Sequence, residues 1–276
     1  MFKKLLFAIL LIPSLSLAQE IQGSEMWDRV YYGSTPGIAA APIVGVNGAV
    51  TTSYEPLWPE SAAYTFLSAN MSSPTISSAS ANDAAAGTGA RTVTVTCVDA
   101  NYAVTTGTYT LNGQTGVNVT QSCMVVNKMI VATAGSGNTN AGIVYVGTGA
   151  ITTGKPAVVH GLIAASDSIS TSAIYGVPAN KTLLCRGLYV STRSTTAGSL
   201  DAVVDYSVNS GPFIRNRIPG FLNTETEALS RYNLVFPAKS RLVVQLLSSA
   251  GTGPAYVNSD CILIDSAASN LNQNQF

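Results

Sequence analysis

The sequence predicts an all-β protein made of two consecutive β-sandwich modules, jelly-roll-like, behind an extended N-terminal arm. Three observations carry this. Ala, Gly, Ser, Thr and Val dominate the 276 residues, a composition that favours strands and turns over helices. Long amphipathic runs of Glu, Lys and Leu are missing after the N-terminus, so no helical period emerges. Short stretches alternating apolar and polar residues recur instead between clusters of Gly, Pro, Asn and Asp. Arg91 to Val98 is the clearest, with Val93, Val95 and Cys97 on one face and Thr92, Thr94 and Thr96 on the other, the alternation of a half-buried strand. A hydrophobic content of 46% excludes wholesale disorder, and the length suits one large or two small domains.

Taken in order, residues 1–18 read as an export signal. Lys3 and Lys4 form the basic start, Leu5 to Ile12 the apolar run, and Ser16-Leu17-Ala18 the small-x-small cleavage site. The apolar run is short for a membrane span, and no other segment approaches one. Residues 19–55 form the extended arm, where Trp27, Tyr31 and Tyr32 are the candidate docking residues. Tyr54-Glu55-Pro56-Leu57-Trp58-Pro59 punctuates the entry to the first sandwich, residues 56–147, because each Pro fixes φ and biases its predecessor towards extended backbone. Its strands are expected at 63–68, 75–80, 92–98, 107–111, 117–119, 123–132 and 143–146. Asn112-Gly113 supplies a hairpin turn, and Asn82-Asp83 with Gly87-Thr88-Gly89 a tighter loop ahead of Arg91. Residues 148–156, interrupted by Gly149 and Gly154, are expected to be a linker. The second sandwich spans 157–265, with strands at 157–163, 172–177, 181–191, 200–208, 213–218, 227–236, 241–248 and 259–265. Residues 266–276, rich in Asn, Gln and Ser, form a disordered tail.

The segments SANDAAAGTGARTVTVTCVDANY, TLNGQTGV and VATAGSGNTNAG, and more weakly VPANKTLL and VNSDCILID, resemble a group of tailed-phage virion structural proteins, β-rich head or tail accessory components. The resemblance runs over most of residues 60 to 265. It implies a particle role through subunit contacts and brings no catalytic residues.

Four cysteines fall two and two, Cys97 and Cys123 in the first half, Cys185 and Cys261 in the second. Four thiols allow three pairings; the module boundaries favour the two local ones, and export would favour oxidation. Each Cys also sits among apolar strand residues, where a free thiol packs as a small hydrophobe.

Chemistry is sparse. His160 is the single histidine, in the strand-like AVVHG, so a triad or a His-based zinc site lacks its members. Gly87-Thr88-Gly89 precedes a strand rather than opening a helix, and no Lys-Ser/Thr follows it to meet phosphate. Glu225 with Glu227, and Asp201 with Asp205, are the acid pairs that a glycosidase would require, yet solvated strand edges explain them too. Asp83, Asn82, Asn138 and Asn140 offer oxygen atoms without the density of acids that calcium sites show. Arg215 and Arg217 with Phe213 and Phe221 complete the candidate interface residues. No cofactor or metal is expected.

With 14 basic and 14 acidic side chains the net charge is zero, which provides no field to hold nucleic acid. The function these features predict is a non-enzymatic structural protein of a phage-like particle, exported or in the virion, whose partners are copies of itself and other particle or surface proteins. The alternative is a secreted or cell-surface β-sandwich binding module, an adhesin or a glycan binder.

Overall fold

A computed structural model describes residues 37–60, 63–192, 199–218, 228–249 and 253–266, and over these the chain is all-β, with no helix and four small antiparallel sheets. The strands are β1 (Ile38–Ala40), β2 (Ile43–Val50), β3 (Glu55–Pro56), β4 (Thr75–Ser78), β5 (Ala90–Val98), β6 (Val104–Thr110), β7 (Val117–Asn118), β8 (Val125–Ala134) and β9 (Val144–Thr152). They continue with β10 (Lys155–Ile163), β11 (Ile174–Gly176), β12 (Lys181–Thr192), β13 (Leu200–Val208), β14 (Ile214–Ile218), β15 (Ala228–Phe236), β16 (Ser240–Ser248) and β17 (Gly253–Asp265). One sheet has the order β1-β17-β12-β15, with β2 also on β17. A second has the order β11-β16-β13-β14, with β3 on β16. The others are β10-β9-β4-β7 and β6-β5-β8.

Alternation decides which side chains are buried. On β5 the pattern expected from sequence holds: Val93, Val95 and Cys97 have no exposed surface, while Thr92, Thr94 and Thr96 face outward and pair with Thr133, Thr108 and Thr106 across the strands at 2.6, 2.8 and 3.4 Å. The apolar face of β5 and β8 packs through Val93, Val95 and Met129 against Ile76 of β4 and Val144 and Val146 of β9. A larger cluster joins Leu183 of β12 and Val257 of β17 to Val204 of β13 and Leu242 and Leu246 of β16. Trp58, Tyr102, Met124, Leu162, Ile174 and Val243 form a third cluster that ties the two pairs of sheets together. Each such side chain taken fully out of water contributes about 1.5–3 kcal/mol.

Several local expectations are corrected. Residues 63–68 pair with no strand. Their side chains go into aromatic packing instead, Tyr64 edge-on to Trp58 at 5.2 Å and Phe66 against Phe213 at 5.2 Å, and Arg241 Nη1 takes the Leu67 carbonyl. Residues 148–156 are not a linker but the closing end of the β9–β10 hairpin, paired as Thr152↔Lys155 and Ile151↔Pro156. Thr153 and Gly154 turn it with φ of 50° and 80°; at Gly154 a Cβ would meet the Ser78 carbonyl at 1.9 Å, so only glycine fits. Much of the expected arm is sheet: β1 pairs with residues 262–264, and β2 pairs with residues 253–259. Asn112-Gly113 does not join a two-stranded hairpin, because β6 pairs with β5 and β7 with β4. The turn there closes one residue later, from Thr115 N–H to the Asn112 carbonyl at 3.1 Å.

The structure joins Cys97 to Cys123 and Cys185 to Cys261, and no cysteine among the described residues is free. The second bond cross-links directly opposed residues of β12 and β17 and closes a separation of 76 residues. The C185S/C261S double variant is expected to lose about 4–5 kcal/mol in urea unfolding on the chain-entropy scale. Alkylation of the unfolded chain without reductant should leave its mass unchanged, and a thiol adduct would remove this bond from the stability of the native protein.

Candidate interaction surface

Strand β14 is the outermost strand of its sheet, paired only to β13 among the described residues. Its sequence IRNRI presents two arginines beside the acids of β13. Arg215 forks onto Asp205 through Nε at 2.8 Å and Nη2 at 2.7 Å, the bidentate geometry for which a guanidinium is shaped. Gln245 Nε2 adds a donor to the same carboxylate at 3.1 Å. Arg217 donates Nε and Nη2 to Asp201, and Tyr54 Oη donates to Asp201 as well. The Arg215 guanidinium lies 4.8 Å from the Tyr54 ring centre, within cation–π range. Hydrogen bonding from Arg217 holds the Asp201 carboxyl below its ordinary value. Both acids are thus held in ion pairs with the arginines of β14 on this surface.

Phe213 is 46% exposed and Ile214 51%, an apolar step beside these ion pairs. Phe213 packs on Phe66, and the Arg241 guanidinium sits 5.5 Å from one ring and 5.6 Å from the other. Arg241 is 4% exposed and donates to Ser207 Oγ at 3.1 Å. Unlike Arg215 and Arg217, Arg241 is an interior residue. Its position between Ser240 and Leu242 in a strand of buried residues was the available indication. Arg215, Arg217 and Phe213 therefore meet on one surface. Trp27, Tyr31, Tyr32 and Phe221 lie outside the described residues, as do Glu225 and Glu227.

A groove of about 400 Å³ opens where β6 and β8 meet the residues around β1 and β11, lined by Val44, Val104, Ile169, Tyr175, Asn127 and Lys128. Val104 is 55% exposed and Val44 and Ile169 are each 40% exposed. Both polar atoms of Asn127 are already bonded to Gly176, Nδ2 to its carbonyl and Oδ1 from its N–H, each at 2.8 Å. Burial pushes the Tyr175 phenol up to about 12. The groove is thus an apolar channel with the Lys128 amine as its charged group.

The loop singled out in the sequence is organised by Asp83, which has no exposed surface. Its Oδ1 accepts from the amides of Ala90 and Ala141, both at 2.7 Å, and its Oδ2 from Gly142 N–H at 2.9 Å and from Ser78 Oγ. Donors occupy the directions a cation would need. Asn140 likewise spends its side chain on the Gly142 and Ala164 carbonyls and on Ser168 N–H. At Gly89 a Cβ would lie 2.1 Å from Asp83 Oδ1, which explains the glycine after Thr88. His160 is 3% exposed on β10, its ring edge-on to Tyr64 at 6.5 Å, and burial lowers its pKa. The imidazole is thus an enclosed neutral ring beside Tyr64.

No protein-family model matches the chain, and no curated protein matches it. Among solved structures it is similar to the infectious bursal disease virus Gt strain, at 12% identity over 83% of this chain and 72% of that one, with a TM-score of 0.26. Similar values hold for T=1 particles derived from infectious bursal virus, 14% identity over 83% and 70% with a TM-score of 0.27. The infectious bursal disease virus VP2 subviral particle matches at 14% over 83% and 72%, with a TM-score of 0.26. Likeness at this level establishes neither fold nor function for this chain.

Removing the Asp83 carboxylate leaves three backbone N–H groups without their acceptor, so Asp83→Ala is expected to cost about 3 kcal/mol or more in urea unfolding. Asp83→Asn should also destabilise, since the amide replaces an acceptor with a donor. For His160 the folded pKa is depressed, so its stabilising contribution is complete above about pH 6.5, the ordinary value, and is lost as pH falls below it. His160→Phe should flatten the pH dependence of the unfolding midpoint in that window, and an unchanged slope would place the proton uptake elsewhere.

Proposed function

We propose that the chain is a non-enzymatic structural protein of a phage-like particle, a decoration, head or tail accessory component built as two β-sandwich modules that act through contacts between copies and with other particle proteins. The observation that carries this reading is the surface of the β6-β5-β8 sheet. Its outward Thr hydroxyls pair with one another across the strands, and Val104 and Ile130 stand exposed at 55% and 36% on the same sheet. Apart from Lys128, which lies across from Thr96 on the same face, such a surface is uncharged and cheap to desolvate, which suits close packing of subunits. The Arg215–Asp205 and Arg217–Asp201 pairs support it similarly, since their charges are balanced within the chain. The resemblance of residues 60 to 265 to tailed-phage virion structural proteins agrees with it, and the β-sandwich reading rests on two clusters that each join the apolar faces of two sheets. The two disulfides suit maturation in an oxidising compartment, as the export signal requires.

A second reading, a secreted or cell-surface binding module, is favoured by the groove of about 400 Å³ beside Val104 and Lys128. A screen of glycans and apolar peptides against the purified chain separates the two. For the first reading, sedimentation and electron microscopy of the mature chain at rising concentration should show a homo-oligomer or ordered assembly, and substitution of Thr94 and Thr108 by Lys should weaken it by tenfold or more. A strict monomer at every concentration, without affinity for any head or tail component, would sink the assembly reading.

A further inference from the structure

Strand alternation in the β1-β17-β12 sheet sends Leu183, Cys185 and Cys261 into the main core and turns Leu184, Ile262 and Ile264 to the opposite face. An outward sheet face is normally wet on one side, yet Ile262 has no exposed surface and Leu184 and Ile264 have 5% and 6%. The only apolar side chain among the described residues that packs on this trio is the half-buried Ile38. Val235, directly opposite Leu184 on β15, is 59% exposed, so the cover stops at β12. Ile38 alone among the described residues does not account for the burial of three aliphatic side chains on a sheet surface.

The course of the backbone indicates the cover. Ile38 pairs with Ile264 and Ala40 with Ile262, and the Gly37 carbonyl accepts from Asp265 N–H at 2.9 Å. The chain preceding Gly37 therefore emerges at the rim of this trio. After the export signal it supplies residues 19–36, which include Ile21, Met26, Trp27, Val30, Tyr31 and Tyr32. With Ile38 the trio spans three adjacent strands, about 10 Å at the usual strand spacing, and a few extended residues at about 3.3 Å each cross it. The other end leaving this rim, residues 267–276, offers only Leu271 and Phe276 as large apolar groups.

We propose that the outer face of the β1-β17-β12 sheet is the seat of the chain's own residues 19–36, with the aromatic group Trp27, Tyr31 and Tyr32 lying over Leu184, Ile262 and Ile264. This assigns those aromatics to a face of the sheet built from the two chain ends and leaves the Thr face of β6-β5-β8 and the β14 edge open for partners. It stands whether or not the chain assembles.

Methyl-labelled full-length mature protein tests it directly. Nuclear Overhauser contacts are expected from the Trp27 indole and the Tyr31 or Tyr32 ring to the methyls of Leu184, Ile262 and Ile264. Absence of these contacts, or contacts from Phe276 in their place, overturns the proposal. In an equal mixture of labelled and unlabelled chains, contacts seen between different molecules would make the occupant a second copy and overturn it too. The W27S/Y31S/Y32S variant should uncover the trio and raise anilinonaphthalene sulfonate fluorescence several-fold at unchanged circular dichroism; fluorescence equal to that of the parent chain counts against the seat.

Discussion

A single buried carboxylate holds together the half of the molecule that the sequence marks most clearly. Asp83 reaches from its loop to the first residue of β5, to the backbone ahead of β9 and to the last residue of β4. Two sheets therefore meet through one side chain. The charge is tolerated in the interior because three N–H dipoles and a hydroxyl replace the water it gives up. The glycines and alanines around it follow from that constraint, since backbone must approach within hydrogen-bonding distance of both oxygens. What looks like low-complexity sequence is the consequence of threading three segments around an anion.

The same economy governs the rest of the surface. Few charges are present, and those on the β13–β14 edge neutralise each other in bidentate or three-membered arrangements. Arg241 goes further, exchanging water for a carbonyl, a hydroxyl and two aromatic rings. The result is an exterior of hydroxyl pairs, internally satisfied ion pairs and isolated aliphatic groups. Charges balanced in this way give little long-range attraction, so recognition at the β13–β14 edge comes mainly from shape at contact.

Strand positions were largely legible because alternation is a local property: Leu200–Val208 and Val93-Val95-Cys97 could be placed from their own residues. The cysteine pairing was legible too, since each pair sits within one half of the chain. Pairing between distant strands was not. Nothing in Ile43–Val50 announces that its partner is Gly253–Asp265, because register across sheets depends on the whole set of apolar faces and not on one segment. Gly149 and Gly154 were misleading as linker residues, since a tight hairpin and a flexible joint both use glycine. The role of Asp83 was hidden for a similar reason. A turn aspartate exposed to water and one enclosed by three amides have the same neighbours in sequence, and only the fold distinguishes them. Tyr64 and Phe66 have the apolar alternation of a strand but serve as packing for Trp58, His160 and Arg241.

The pairing of β1 and β2 with β17 sets an order of events as well as a shape. Strands near residue 40 must wait, unpaired, for a partner about 200 residues later, and the cross-strand disulfide between Cys185 and Cys261 cannot form until that partner has arrived. Contacts of such long sequence separation close slowly. The sheet that holds both β1 and β17 stays open until its last strand has been made, and it closes only once the two ends of the chain have come together.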